Sequence, residues 1–402
     1  MLFFLPLGKI IHSMLTRYLT DPVTSDLAEK MVFVAGPRQV GKTTMAKQII
    51  EKSGPGEYFS WDRREDRKTI RAAYWPSGEA LVVLDELHKW RNWKRWIKGE
   101  YDRHGDRLRF LVTGSARLDI YRRGGDSLQG RYHHYRLHPL TLAELEGPRE
   151  MFPEPGAPLE IPLHASAETL KQIIQFGGFP EPFLAASTRS LRRWQKEHLD
   201  RFFREDVRDL ETIRDLSSMQ LLSDMLAERV ASPLSLNSLR EDLEVSHKAI
   251  AHWVDILERL YHVFRIRPFL NRAFHGLKKM PKVYLWDPSQ VSDAGARFEN
   301  VVALHLLKLC HFLEDGEGHR MSLHYVRDTA GREVDFLVTC DNKPWFLAEA
   351  KLSETRIDRS LPYFRDKLNV PAAFQVVLNN SRDFEKEGIR CLPAHRFLAA
   401  LI

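Results

Sequence analysis

The octapeptide GPRQVGKT at Gly36–Thr43 follows a five-residue apolar run, MVFVA (31–35), and opens a segment of helical pattern. Every fixed position of G-x-x-x-x-G-K-[ST] is filled, and strand before, helix after is the setting in which that pattern cradles phosphate. Gly36 and Gly41 let the loop fold back, so that backbone N–H groups along Gly36, Pro37, Arg38, Gln39, Val40 and Gly41 turn inward, proline excepted. The helix starting near Lys42 adds its positive N-terminal end. Lys42 brings a cation to the β- and γ-phosphates, the Thr43 hydroxyl reaches Mg²⁺, and Thr44, just past the motif, is a further expected nucleotide-binding residue. ATP with Mg²⁺ is the expected ligand.

A second run, LVVLDELHKW (81–90), builds a buried strand from which Asp85 and Glu86 emerge. Asp85 is expected to hold the magnesium and Glu86 to polarise the attacking water. In LRFLVTGSARL (108–118), Thr113 or Ser115 is placed to touch the γ-phosphate or position that water. Arg131, in GRYHHYRLH, is an expected stabiliser of developing charge on the γ-phosphate, in its own subunit or a neighbour's. The runs at 31–35, 57–61, 81–85, 108–114 and 133–138 alternate with longer amphipathic or polar stretches. This predicts an α/β domain with a parallel sheet covered on both faces.

The pattern then changes. Residues 147–166 carry prolines at 148, 153, 155, 158 and 162 and read as a linker or irregular excursion. Ser166 is the expected cap of a helix running to Phe176, and 185–230 read as helices of a small lid. Residues 234–267 read as helix, turn, longer helix and the first strand of a wing. Ile250, Trp253, Val254, Leu257 and Leu260 form the core-facing stripe of the longer helix. Beyond 279 come a helix (297–313), a hairpin (323–351), a helix (358–368) and a strand (373–378). The expected divisions are therefore 1–146 for the nucleotide-binding core, 147–215 for linker and lid, 216–270 for a winged helix-turn-helix and 271–402 for the C-terminal domain.

In that last domain EVDFLV (333–338) and WFLAEAKL (345–352) alternate apolar and charged residues. Glu349 and Lys351 share a face. Asp335 joins them only if it pairs with Glu349, which requires an odd loop such as Asp341-Asn342-Lys343; a two-residue loop turns it to the other face. Asp followed by Glu-x-Lys on adjacent strands resembles the PD-(D/E)XK nuclease core, with Glu299 on the preceding helix as a fourth member. The resemblance implies carboxylates that bind Mg²⁺ and a lysine at the scissile phosphate. The same fold also serves as a binding or assembly platform.

Taken together, VFVAGPRQVGKTT, LVVLDELHKWRNW, FLVTGSARL, QGRYHHYRLHPLTLAEL, GGFPEPF, GARFENVVALHL and REVDFLV…WFLAEAKLS resemble the prokaryotic AAA-type ATPases fused to a C-terminal domain of unknown function, related to the archaeal P-loop ATPases. The resemblance spans roughly residues 15–400. It implies an additional-strand P-loop ATPase core, a winged-helix middle and a nuclease-like end. Arg117 departs from the small residue expected there and leaves the water-positioning role open.

Lys and Arg exceed Asp and Glu by six, which permits DNA or RNA as a partner without requiring it. The helix-turn-helix offers only His247, Lys248 and His252 to phosphates. The basic aromatic stretch HKWRNWKRWIK (88–98) is the better patch unless Trp90, Trp93 and Trp96 pack inward. Cys310, Cys340 and Cys391 form no C-x-x-C pair, which predicts neither a zinc site nor a disulfide framework and fits a reducing cytoplasm. The apolar start, MLFFLPLGKIIHSML, is short of the ~20 residues needed to span a bilayer. It reads as a helix or a misplaced start, with Met14 the alternative initiator, and no membrane partner is expected. A homo-oligomer is expected if Arg131 works across subunits.

Overall fold

The computed structural model describes residues 15–115, 118, 128, 130–147, 152–208, 215–270, 280–353 and 356–402. The expectations for the N-terminal run, Met14, Arg117 and Pro148 lie outside these residues. The chain divides into two compact units, with the boundary between Pro139 and Leu140.

In the first unit the apolar runs become strands β1 (Met31–Ala35), β2 (Gly56–Ser60), β3 (Ala80–Asp85), β4 (Leu108–Thr113) and β5 (Tyr132–Arg136). They form one sheet in the order β2-β3-β4-β1-β5, and every pairing is parallel. Strands β1 and β3 are buried along their whole length, as sequences without polar alternation require. The helices are α1 (Thr20–Asp26), α2 (Lys42–Ser53), α3 (Arg64–Ala72) and α4 (Trp93–His104). Strand β4 lies between the strand that precedes the glycine loop and the strand that carries the acidic pair.

The basic aromatic stretch is packing. Trp93 is buried, its ring 5.7 Å from Phe33. Trp90 stacks on Trp61 with centroids 4.9 Å apart, and Trp96 lies 5.2 Å from Trp90. These rings are spent on the core of the sheet.

The second unit opens with α5 (Leu142–Leu145), followed by α6 (Ala167–Phe176), α7 (Pro180–Ala185) and α8 (Thr188–Arg201). The Ser166 hydroxyl accepts from the Thr169 N–H as the cap of α6, and Gly177, with φ of 75°, ends it. Next come α9 (Leu216–Glu228), α10 (Leu236–Asp242), α11 (His247–Arg259), β6 (Val263–Pro268) and β7 (Lys282–Leu285). The unit ends with α12 (Ala294–Asp315), β8 (Met321–Arg327), β9 (Glu333–Cys340), β10 (Lys343–Lys351), α13 (Ser360–Leu368), β11 (Ala372–Val377), β12 (Phe384–Lys386), β13 (Ile389–Pro393) and α14 (Ala394–Ala399).

All three expected divisions fall inside this unit, and two of them cut across built contacts. At 146/147, α5 is already built into it: the buried Lys308 ammonium on α12 lies 2.7 Å from Glu144 Oε2 and 2.8 Å from Thr141 Oγ1. At 270/271, β6 pairs antiparallel with β7 and also, through Arg267 and Pro268, parallel with β8. The wing-like hairpin is thus continuous with one mixed sheet ordered β12-β13-β11-β10-β9-β8-β6-β7. The helices expected as a lid pack within this unit too, with Gln195 donating to Ser289 Oγ at 3.0 Å. Among the described residues, no helix is long and apolar enough to cross a membrane.

Candidate functional site

The glycine loop leaves the end of β1 and turns into α2. Gly36 has φ of 156°, and a Cβ there would lie 2.5 Å from the Leu137 carbonyl oxygen. Gly41, at φ 102°, caps α2 in the left-handed region. The Lys42 ammonium folds over the loop, donating to the carbonyls of Gly36 at 3.0 Å and Pro37 at 2.7 Å. Behind the loop, buried Arg17 donates to Val40 O and His138 O, each at 2.6 Å. One guanidinium therefore ties the loop to the segment leaving β5.

Asp85 closes β3, paired with Ser60 on one side and Thr113 on the other. Its carboxylate accepts from Thr43 Oγ1 at 2.9 Å, from Thr113 Oγ1 at 2.5 Å, and from the Tyr58 hydroxyl. Burial, and then the hydrogen bond to Asp85, push the Tyr58 pKa upward and keep it a donor. A hydroxyl and a carboxylate converging from α2 and β3 are hard oxygen donors of the kind Mg²⁺ takes. Thr113 is turned to Asp85, so its hydroxyl is already engaged at the base of this group.

Glu86 bends the chain just past the strand, with φ of 58°. Its Oε2 lies 3.0 Å from Lys89 Nζ and 3.8 Å from His88 Nε2. Ser115 Oγ is 3.3 Å from the same imidazole nitrogen. Ser115 and Glu86 thus meet through buried His88, which packs against Gly114 so closely that a Cβ there would lie 2.5 Å from its Nδ1.

Arg131 is not brought to the loop in its own chain. The parallel register begins at Met31 opposite Tyr132 and ends at Ala35 opposite Arg136. Arg131 therefore sits beside the start of β1, and Gly36 follows its end. Its guanidinium pairs with Asp102, Nε to Oδ1 at 2.7 Å. The expected contact within one subunit is thus corrected; a contact across subunits is a separate matter.

In the second unit, Asp341 and Asn342 alone form the turn between β9 and β10, both left-handed at φ 50° and 62°. A two-residue turn would put Asp335 on the face away from Glu349. The register shifts once between Pro344 and Phe346, leaving Trp345 as a bulge, and then sets Ala348 opposite Phe336. The bulge supplies the odd residue that the turn lacks. The Asp335 N–H donates to Glu349 Oε2 at 3.0 Å, and the Ala350 N–H donates to Asp335 Oδ2 at 3.1 Å. Lys351 Nζ lies 2.7 Å from Glu349 Oε1 and 3.2 Å from Asp358 Oδ2.

A lysine that the sequence reading passed over enters the same cluster. Lys282 Nζ lies 2.8 Å from Glu333 Oε1, 3.1 Å from Glu299 Oε1 and 3.3 Å from Asp335 Oδ1. The Tyr284 hydroxyl also donates to Glu299, at 2.8 Å. Burial, then the charge of Asp335, pushes Glu299 up to about 7 and Glu349 up to about 8. Lys282 loses by desolvation, but Asp335, Glu299 and Glu333 outweigh that and raise its pKa. An isolated lysine at the head of the apolar run VYLW was the one available sign of it. At the other end of β9, ligand atoms of His319, Cys340 and Asp341 lie within 4.8 Å of one another, a grouping that cysteine spacing does not reveal.

Residues 28–146 match the family model of an AAA domain. Residues 167–296 and 294–397 match two domains of unknown function, DUF8612 and DUF4143. An uncharacterized protein of Methanocaldococcus jannaschii is 25% identical, over 90% of this chain and 84% of its own. One from Mycobacterium tuberculosis is 23% identical, over 82% and 72%. Among solved structures, the Walker-type ATPase of Pyrococcus abyssi is similar at 14% identity and a TM-score of 0.41, covering 69% of this chain and 94% of that one.

Proposed function

We propose that the first unit, whose residues 28–146 match the AAA-domain model, is a P-loop ATPase that binds and hydrolyses MgATP in the following way. The observation that carries this reading is the 2.9 Å contact of Thr43 with Asp85, beside a lysine bonded to the loop's own carbonyls. Magnesium, bound with ATP, would offset charge on the β- and γ-phosphates. Thr43 and Asp85 would hold it, and Lys42 would leave Gly36 and Pro37 for phosphate oxygens, which are stronger acceptors than carbonyls. Glu86 would orient and deprotonate the water. Lys89 and the His88–Ser115 pair fix the position of its carboxylate. Glu86→Gln should keep nucleotide binding and cut turnover by about 10²–10⁴-fold, the usual contribution of a general base. Bound fluorescent nucleotide and phosphate release measure the two separately. A loss of binding in Glu86→Gln equal to that in Lys42→Ala would reject this division of roles.

For the second unit we infer a winged-helix hairpin leading into a PD-(D/E)XK nuclease-like fold. The helices α9, α10 and α11 lead into the β6–β7 hairpin. After it come a helix, an antiparallel meander, a helix and a strand parallel to the meander's last. Support for the nuclease-like reading is the shared face of Asp335, Glu349 and Lys351, with Glu299 reaching in from α12. It favours DNA or RNA as the partner. A protein-binding ATPase switch with a silent platform is the second reading, favoured by the ammonium lodged among the carboxylates. ATP turnover with and without single- and double-stranded DNA, at several salt concentrations, separates the two: salt-sensitive stimulation supports the first, and none supports the second.

A further inference from the structure

We propose that Lys282 is the resident cation of the acidic site in the second unit, and that no divalent metal binds there while it is in place. The inference rests on the nuclease-like reading of this unit but reverses its chemical expectation. In that reading Asp335, Glu349 and Glu299 are metal ligands. Here Asp335 and Glu299 each turn an oxygen to the Lys282 ammonium, and Glu333 closes the group on a third side. The Lys282 side chain is 2% exposed, so its contacts are made away from solvent.

Its placement is built in. Lys282 heads β7, opposite Ile266 of β6, and Pro233 bridges to it from the other side. Tyr325 lies under it, with its ring centroid 5.6 Å from Nζ. The residue therefore reaches the cluster from a hairpin whose register both neighbours set.

Size and charge exclude a second occupant. Mg²⁺ needs oxygens at about 2.0–2.1 Å in near-octahedral array. A metal bound to Asp335 Oδ1 and Glu299 Oε1 would occupy the space of the ammonium. It would also set two positive charges beside the ammonium, which repels them. Glu349, the remaining carboxylate, is committed to Lys351 and to the Asp335 N–H. The residues present do not fit a divalent ion, and the site is a tethered ion cluster that fastens β7 to α12 and β9.

Mn²⁺ titration of the full chain without nucleotide, followed by electron paramagnetic resonance, tests this. Wild type should show no site that depends on Asp335. Lys282→Met should gain one, at least ~tenfold tighter than any wild-type binding, and Lys282→Met with Asp335→Asn should lose it again. A wild-type site abolished by Asp335→Asn would overturn the proposal. So would a folded Lys282→Met protein that binds no Mn²⁺, which would reject the metal-ligand role that the nuclease-like reading gives these carboxylates together with it. If Lys282→Met does not fold, adding Glu333→Gln relieves the unpaired charge and the same titration applies. ATP turnover in the same samples reports on the first unit alone, so a failure of the ATPase reading is separately visible.

Discussion

In the first unit the Lys42 ammonium rests on the carbonyls of Gly36 and Pro37; in the second the Lys282 ammonium rests on Glu299, Glu333 and Asp335. Both side chains are buried. The difference lies in what an incoming ligand meets. A phosphate arriving at Lys42 replaces a dipole with an anion and gains by the exchange. A metal arriving at Lys282 must evict a cation that three carboxyl groups already hold. A buried lysine on carbonyls is a waiting donor, and a buried lysine on carboxylates is a finished structure.

The sharpest way to break that comparison is to remove each lysine and read both activity and stability. Lys42→Ala should lower ATP turnover by about 10²–10³-fold, as the loss of one preorganised donor does, with little change in unfolding midpoint. Lys282→Met should do the reverse, leaving turnover near wild type and destabilising the second unit by about 3–5 kcal/mol, the cost of stranding buried charge. Denaturant unfolding followed by tryptophan fluorescence, beside phosphate release, checks both. If the two variants fail alike, the distinction is wrong.

Arg17 comes next in size. Its two bonds to Val40 O and His138 O come from one planar fork, which lysine cannot reproduce. Arg17→Lys should raise the KM for ATP by roughly tenfold, the effect of about 1.4 kcal/mol, with kcat less affected. An unchanged KM would mean the loop holds its shape without the clamp.

Acidity gives a smaller, signed effect. Glu299 and Glu349 keep protons in the folded protein, to about pH 7 and 8, that the unfolded chain releases near 4.5. Their contribution to stability is therefore complete below about pH 4.5 and is lost as the pH rises through 7 and 8. His262 and His305, pulled down to about 4 by burial, oppose this only below their usual 6.5. Between pH 6.5 and 8, then, melting temperature should fall. Glu349→Gln should flatten that slope and exceed wild type at pH 8. A steeper slope in the variant would refute the assignment.

The smallest expected effect is at Arg131. Its partner Asp102 is largely solvated, and within its own chain Arg131 sits beside the start of β1, at the opposite end of that strand from the loop. Arg131→Ala should leave the turnover of dilute monomer within about twofold, as surface substitutions usually do. A collapse in turnover that appears only on ATP-driven assembly, and is partly rescued by mixing with Glu86→Gln protein, would instead locate its work across a subunit boundary.

What could be read beforehand follows from where the chemistry sits along the chain. The loop at Gly36–Thr43 and the pair Asp85–Glu86 are contiguous words on strands whose apolar runs announce them. Glu349 and Lys351 are fixed by alternation alone. Lys282 was hidden because its partners lie elsewhere in the sequence and a single charge at a strand's head has no period. Arg17 was hidden for the same reason. The tryptophans of 88–98 were ambiguous because spacing shows a face but not what covers it. Arg131 was misplaced because a motif gives order along the chain, whereas a parallel register decides which end of the sheet a residue occupies.

The bulge at Trp345 makes the second site a matter of parity. Asp335 and Glu349 meet because an even turn is followed by one odd residue, whose indole N–H is anchored on Ala157 O at 2.7 Å. Lose any single residue between those two acids, and every side chain beyond it exchanges core for solvent. Lose one and gain one, and the pattern is restored. Lineages carrying this hairpin should therefore tolerate paired length changes there and reject solitary ones, much as a reading frame does.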